Sequence, residues 1–129
     1  MTREIKFRGK DVDTGWWIDG DLIQRKGYYP GIMFPYESGG KVRYGECAVE
    51  PGTVGQFTGL LDKNGKEIWE YDIVDWDGVK LLVEFIDGSF CIHENYEDAT
   101  LHDLFFERDE INVIGNRFDN PELLKTEEP

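Results

Sequence analysis

The chain has 129 residues, 14 of them basic and 27 acidic, for a formal net charge of −13. Apolar residues make up 40% and aromatic ones 14%, which excludes collagen-like repeats and low-complexity disorder. No apolar run approaches the ~20 residues of a membrane-spanning helix, and a single domain of this length can bury a core without disulfide staples.

The charge is unevenly placed. Residues 1–50 hold eight residues of each sign, so the whole excess falls on residues 51–129. A negative field of that size repels phosphate backbones and anionic membranes, so nucleic-acid and membrane partners are disfavoured and basic partners favoured. Met1-Thr2-Arg3-Glu4-Ile5 holds no apolar signal stretch and no lipidation motif follows, so a cytoplasmic, reducing location is expected. Cys47 and Cys91 are too few for a disulfide framework and are expected as free thiols.

In chain order, Ile5 and Phe7 alternate with Lys6 and Arg8 at the period of a half-buried strand. Asp11-Val12-Asp13-Thr14-Gly15 reads as a turn, Trp16-Trp17-Ile18 as the returning strand, and Asp19-Gly20-Asp21 as a further break before Leu22-Ile23. Residues 24–52 are punctuated by glycine and proline but rich in aromatics, which predicts short strands in an ordered excursion. Ser38-Gly39-Gly40 is its expected mobile tip.

Residues 54–60 alternate as a strand. Asn64-Gly65 within Asp62 to Lys66 predicts a type I′ hairpin turn, which requires positive φ at both central residues. Glu67-Ile68-Trp69 returns, Ile73 to Trp76 and Val79 to Ile86 are strands around Asp77-Gly78, and Asp87-Gly88-Ser89 turns into Phe90-Cys91-Ile92. Leu101, Leu104 and Phe105 fall at helical spacing, predicting a helix over Glu97 to Asp109 capped by Asp98 or Thr100. Ile111 to Ile114 reads as a closing strand. Asn120-Pro121-Glu122 predicts a short helical turn at Leu123-Leu124, with Lys125 to Pro129 fraying. Short strands joined by tight turns, without strand–helix alternation, predict a mainly β fold with one or two short helices.

Three stretches resemble the YopX-like family of phage and prophage proteins. They are Ile5-Lys6-Phe7-Arg8; Val54 to Leu60 followed by Asp62-Lys63-Asn64-Gly65-Lys66-Glu67-Ile68 and Asp72-Ile73-Val74; and Val113-Ile114-Gly115-Asn116 with Asn120 to Leu124. The resemblance implies a small SH3-like antiparallel barrel, a phage or prophage origin, the bacterial cytoplasm and self-association, and it implies no catalytic residue. The expected organisation is an N-terminal β-hairpin and Gly/Pro/aromatic excursion over residues 1–52, packed on a barrel over residues 53–129 as one compact unit. The family's Glu-Gly-Asp-Ile-Val reads Glu70-Tyr71-Asp72-Ile73-Val74 here, so a left-handed backbone at that glycine would make Tyr71 an uncommon guest.

Candidate chemistry is sparse. Cys47, Cys91, His93 and His102 are zinc-ligand types, but they lack the close pairs of structural sites. Asp11-x-Asp13 and Asp62-x-Asn64 lack the glycine and glutamate spacing of a calcium loop. Ser38 and Ser89 sit in no nucleophile pattern, and Gly52-Thr53-Val54-Gly55 lacks a phosphate-binding lysine. No catalytic, metal or cofactor-binding residue is therefore assigned, and a non-enzymatic protein is expected.

Two surfaces are singled out instead. Glu94, Glu97, Asp98, Asp103, Glu107, Asp109 and Glu110 form an acidic candidate surface, which could meet a basic host protein or imitate the phosphates of DNA. Lys6, Arg8, Lys10, Trp16 and Trp17 form a basic and aromatic candidate interface. Read as a strand edge, it could meet the acidic part of a second copy in a homo-oligomer. Read with the neighbouring aromatics, it could weakly bind single-stranded nucleic acid.

Overall fold

Tight turns set the architecture. In the computed structural model, residues 3–125 are described; residues 126–129, most of the predicted fraying tail, lie outside them. The chain divides between Phe57 and Thr58 into two compact units. The structure is mainly β, with antiparallel sheets and one short helix.

In the first unit β1 (Phe7–Lys10), β2 (Trp17–Ile23), β3 (Gly31–Ser38) and β4 (Lys41–Ala48) form a meander, and the start of β5 (Gly55–Leu61) joins the far side of β1. The predicted N-terminal hairpin is present, with Phe7 opposite Gly20 and Lys10 opposite Trp17. Asp19-Gly20-Asp21 is not a break. β2 runs straight through it because the β3 backbone comes so close that a Cβ on Gly20 would lie 2.2 Å from the Met33 carbonyl oxygen.

The glycine- and proline-rich stretch contains the longest hairpin of the chain, β3 with β4, paired from Gly31–Ala48 to Ser38–Lys41. Its expected mobile tip is a two-residue turn. Gly39 and Gly40 have φ of 61° and 74°, the left-handed pair that matches the twist of a hairpin. Ile32 and Val49 are fully buried.

In the second unit β5 ends, and β6 (Glu67–Trp69), β7 (Asp72–Trp76), β8 (Val79–Ile86), β9 (Ser89–His93), β10 (His102–Asp103) and β11 (Asn112–Asn116) follow. The last five make one antiparallel sheet in the order β10-β9-β8-β7-β11. The sheet is open: β10 and β11 lie at opposite edges and do not pair, so the expected closed barrel is not formed. One face carries Val74, Leu81, Val83 and Ile92, which pack with Ile68, Leu104 and Ile111 into a buried cluster. Each such side chain contributes about 1.5–3 kcal/mol by leaving water.

Asp77-Gly78 and Asp87-Gly88 have positive φ at both residues and form the predicted tight turns. Asn64-Gly65 does not. Only Gly65 is left-handed there (φ 81°), and the Gly65 N–H donates to the Asp62 carbonyl at 3.0 Å. The reason is the Asp62 carboxylate. Its Oδ1 accepts from the Asn64 and Lys66 N–H groups, both at 2.9 Å, and wraps the loop around itself. Its Oδ2 accepts from the Val113 N–H at 2.8 Å, so one buried side chain holds both a turn and β11.

The predicted helix over Glu97 to Asp109 shrinks to α1 (Leu104–Glu107), followed by a 3-10 turn over Arg108–Glu110. Two features delay its start. Asp98 is left-handed (φ 61°), and His102 and Asp103 pair with Ile92 and Cys91 as β10. Asp103, rather than Asp98 or Thr100, caps the helix, accepting from the Phe105 N–H at 2.9 Å. The predicted C-terminal turn is a 3-10 helix over Pro121–Leu124 with proline at its start; Asn120 turns its side chain back to accept from the Asn116 N–H instead of capping.

Tyr71 has φ 72°, confirming that its position demands the left-handed region. Its N–H donates to the Val83 carbonyl at 2.7 Å and its carbonyl accepts from the Arg117 N–H at 3.0 Å. The Arg117 guanidinium lies 3.9 Å from the centre of its ring, and Phe118 meets the ring edge-on. These contacts offset a backbone cost of roughly 1–2 kcal/mol.

Replacing Asp62 with alanine leaves buried donors of both the turn and β11 without an acceptor. A destabilisation of about 3 kcal/mol or more is expected in urea unfolding, against a much smaller loss for the neighbouring exposed Lys63→Ala.

Candidate interaction surfaces

The basic and aromatic residues of the first unit are not a strand edge. β1 is flanked by β2 and by β5, with Arg8 opposite both Asp19 and Gly55. Its side chains cover rings: the Arg8 guanidinium lies 4.6 Å, and the Lys10 ammonium 5.4 Å, from the centre of the Trp17 ring. Lys6 sits 4.8 Å over Phe57 and pairs with Glu4 at 3.2 Å. Such stacking stabilises by about 0.5–1 kcal/mol at exposed sites and leaves the Trp17 face occupied. Trp16 stands apart on the turn, 72% exposed.

The turn before Trp16 is organised by Asp11, whose Oδ1 accepts from the Asp13 N–H at 2.8 Å and the Thr14 N–H at 2.9 Å. These bonds hold its carboxyl below the usual range, as the Arg25 guanidinium does for Glu46 through contacts of 2.6 and 2.7 Å. Both groups favour their charged form in the folded state. Their contribution to stability is therefore complete at neutral pH and is lost as pH falls through their depressed values. Burial, and then the bond to Asp11, push the Cys47 thiol up, which makes it a poor nucleophile.

Sequence reasoning missed the distal half of the β3–β4 hairpin. β2 pairs only with Gly31, Ile32 and Met33, so residues 34–45 extend beyond that contact. There Tyr36, Val42 and Tyr44 are 45%, 61% and 67% exposed. The glycines that delimit this hairpin were the available signal.

In the second unit the acidic residues are brought to neighbouring loops, not to one helix face. Glu94, Glu97 and Asp98 lie in the segment after β9; Asp103 caps α1; Glu107 lies in it; Asp109 and Glu110 follow in the 3-10 turn. Glu110 accepts from the Trp76 indole N–H at 3.1 Å. Arg108 folds back over the Phe105 ring and donates to the Phe105 carbonyl. Among the carboxylates Phe105 and Phe106 project, 52% and 76% exposed.

The remaining metal-ligand types are committed elsewhere. His93 Nε2 meets Glu84 at 2.9 Å and its Nδ1 meets the Glu94 carbonyl at 2.8 Å. The His102 ring packs edge-on against Trp76, and Cys91 is buried beside Ser89. Neither Cys47 nor Cys91 forms a disulfide. Among the described residues no cluster of three or more His, Cys, Asp or Glu is arranged to hold a metal ion, and no helix is long and apolar enough to cross a membrane.

A family model described as YopX protein matches residues 6–125. Among solved structures, the chain is similar to the crystal structure of protein EF1440 from Enterococcus faecalis. The identity is 25% and the TM-score 0.62, over 96% of this chain and 100% of that one. No curated protein matches the chain.

The Cys47 environment is directly checkable. Asp11→Asn keeps the Oδ1 acceptor and removes the charge, so alkylation of Cys47 at pH 8 is expected to accelerate, while buried Cys91 stays slow. An unchanged rate, read by mass spectrometry, contradicts this account.

Proposed function

The chain belongs to the YopX family, and from that premise we propose that it is a non-enzymatic, self-associating protein-interaction module, encoded in a phage or prophage and acting in the bacterial cytoplasm. The observation that supports this reading is the exposure of Tyr36, Val42 and Tyr44 on one projecting hairpin. An isolated two-stranded ribbon is marginal in water, and side chains of this kind gain stability when a partner covers them. Sedimentation velocity at micromolar concentration tests it. A dimer or larger assembly that persists in 1 M salt is expected of apolar contacts, and a monomer at low and high salt overturns the reading.

A second reading, docking of a cationic protein partner on the second unit, is favoured by Phe105 and Phe106 standing among Asp103, Glu107, Asp109 and Glu110. A plain phosphate mimic needs only carboxylates. Exposed phenyl rings fit a basic protein surface with an apolar recess. A synthetic amphipathic peptide of lysine and leucine serves as probe: Phe106→Ser is expected to weaken its binding about tenfold while leaving polylysine binding unchanged. Unchanged affinity for both probes would indicate charge alone, the signature of the DNA-mimic alternative.

A further inference from the structure

We propose that the outer edge of β4, unpaired among the described residues at Val42, Tyr44 and Glu46, is the self-association site, and that it pairs antiparallel with the same edge of a second copy about a two-fold axis at Tyr44. This rests on the reading that the chain self-associates. The hydrogen-bond phase of the hairpin carries the argument. The Val49 N–H donates to the Pro30 carbonyl at 3.0 Å, and Gly31 stands opposite Ala48. In an antiparallel ladder, bonded and non-bonded pairs alternate. Ile32–Cys47, Phe34–Gly45 and Tyr36–Arg43 are therefore bonded pairs; Met33–Glu46, Pro35–Tyr44 and Glu37–Val42 are not.

Two independent features agree. Pro35, which has no N–H to give, falls on a non-bonded pair, and the Ala48 carbonyl points outward, where it accepts from the Val12 N–H at 3.0 Å. The N–H and C=O groups of Val42, Tyr44 and Glu46 therefore line the outer edge of β4, which closes its end of the sheet order. The opposite edge of the hairpin is blunted by Pro35, a device that keeps strands from pairing; the β4 edge has no proline.

Val42, Tyr44 and Glu46 are symmetric about Tyr44. With the axis there, Tyr44 bonds Tyr44 of the second copy and Val42 bonds its Glu46, so all three edge residues are satisfied reciprocally. Arg43 then faces Gly45 of the second copy. The Phe34 ring already covers that glycine, since a Cβ would meet it at 2.9 Å, so the guanidinium meets an aromatic ring. Lys41 faces Cys47, which lies in the field of the Asp11 and Asp13 carboxylates. The neighbouring registers are worse. An axis at Arg43 sets arginine against arginine, and an axis at Gly45 requires Ala48, whose carbonyl is already engaged with Val12.

Tyr44→Pro removes only an outward N–H, so the hairpin's own bonds survive. It is expected to sediment as a monomer at concentrations where the unmodified chain assembles, and Val42→Pro is expected to do the same. A complementary variant avoids any question of folding. Tyr44→Cys, in a Cys47→Ser background, places two thiols on residues about 5.5 Å apart at Cα, within disulfide range, and is expected to form a covalent dimer on mild oxidation; Tyr36→Cys in the same background is not. Assembly that survives Tyr44→Pro, or an assembled Tyr44→Cys variant that does not cross-link, overturns the edge proposal and leaves self-association standing. An unmodified chain that stays monomeric overturns both.

Discussion

The second unit depends on one buried carboxylate. Asp62 accepts from Asn64, Lys66 and Val113, so a turn and a strand roughly fifty residues later share one acceptor. Burying a charge is costly unless its oxygens are hydrogen-bonded, and here backbone donors fill both of them. The same bonds prevent the Asn64-Gly65 pair from forming the turn its sequence favours. With β11 held at Val113, the sheet gains its fifth strand, and Ile111 is held in the apolar cluster beside Val74 and Leu104. The fold of this unit is thus set by a polar constraint, and burial of the apolar face stabilises what that constraint positions.

The sequence was legible where local chemistry alone decides the backbone. Asp77-Gly78 and Asp87-Gly88 could be read because both of their residues tolerate left-handed backbone and nothing nearby competes. Leu101, Leu104 and Phe105 misled because their spacing is helical while their burial is not: Leu104 is fully buried, and the other two are about half exposed. Strand pairing by His102 and Asp103 is a tertiary contact with no local mark, and it overrides the helical pattern. Gly39-Gly40 is the left-handed pair that a tight hairpin requires. Tyr71 lies between these cases. The family glycine announced the left-handed backbone, but only the structure shows Arg117 and Phe118 closing on the ring that replaces it.

The candidate surfaces were legible in composition but not in placement. Charge counting located the acidic excess correctly. It could not show that Phe105 and Phe106 stand among those acids. The basic residues at the N-terminus looked like an edge because alternation reveals a strand but not its neighbours; β1 has one on each side. The Arg8 and Lys10 side chains lie over Trp17, and that of Lys6 lies over Phe57.

The net charge bears on the β4 edge as well. A chain at −13 repels its copies at long range, so encounters between arbitrary surfaces are discouraged. An exposed edge is a hazard when any register will do, because backbone bonds alone do not choose one. On β4 the choice is made by side chains: Arg43 penalises the register that pairs it with itself, and Val12 occupies the carbonyl that the opposite shift would need. Long-range repulsion together with a single short-range match favours one defined assembly over open-ended strand addition. Two-fold pairing also consumes the edge in both copies, so it ends at the dimer unless another surface joins in.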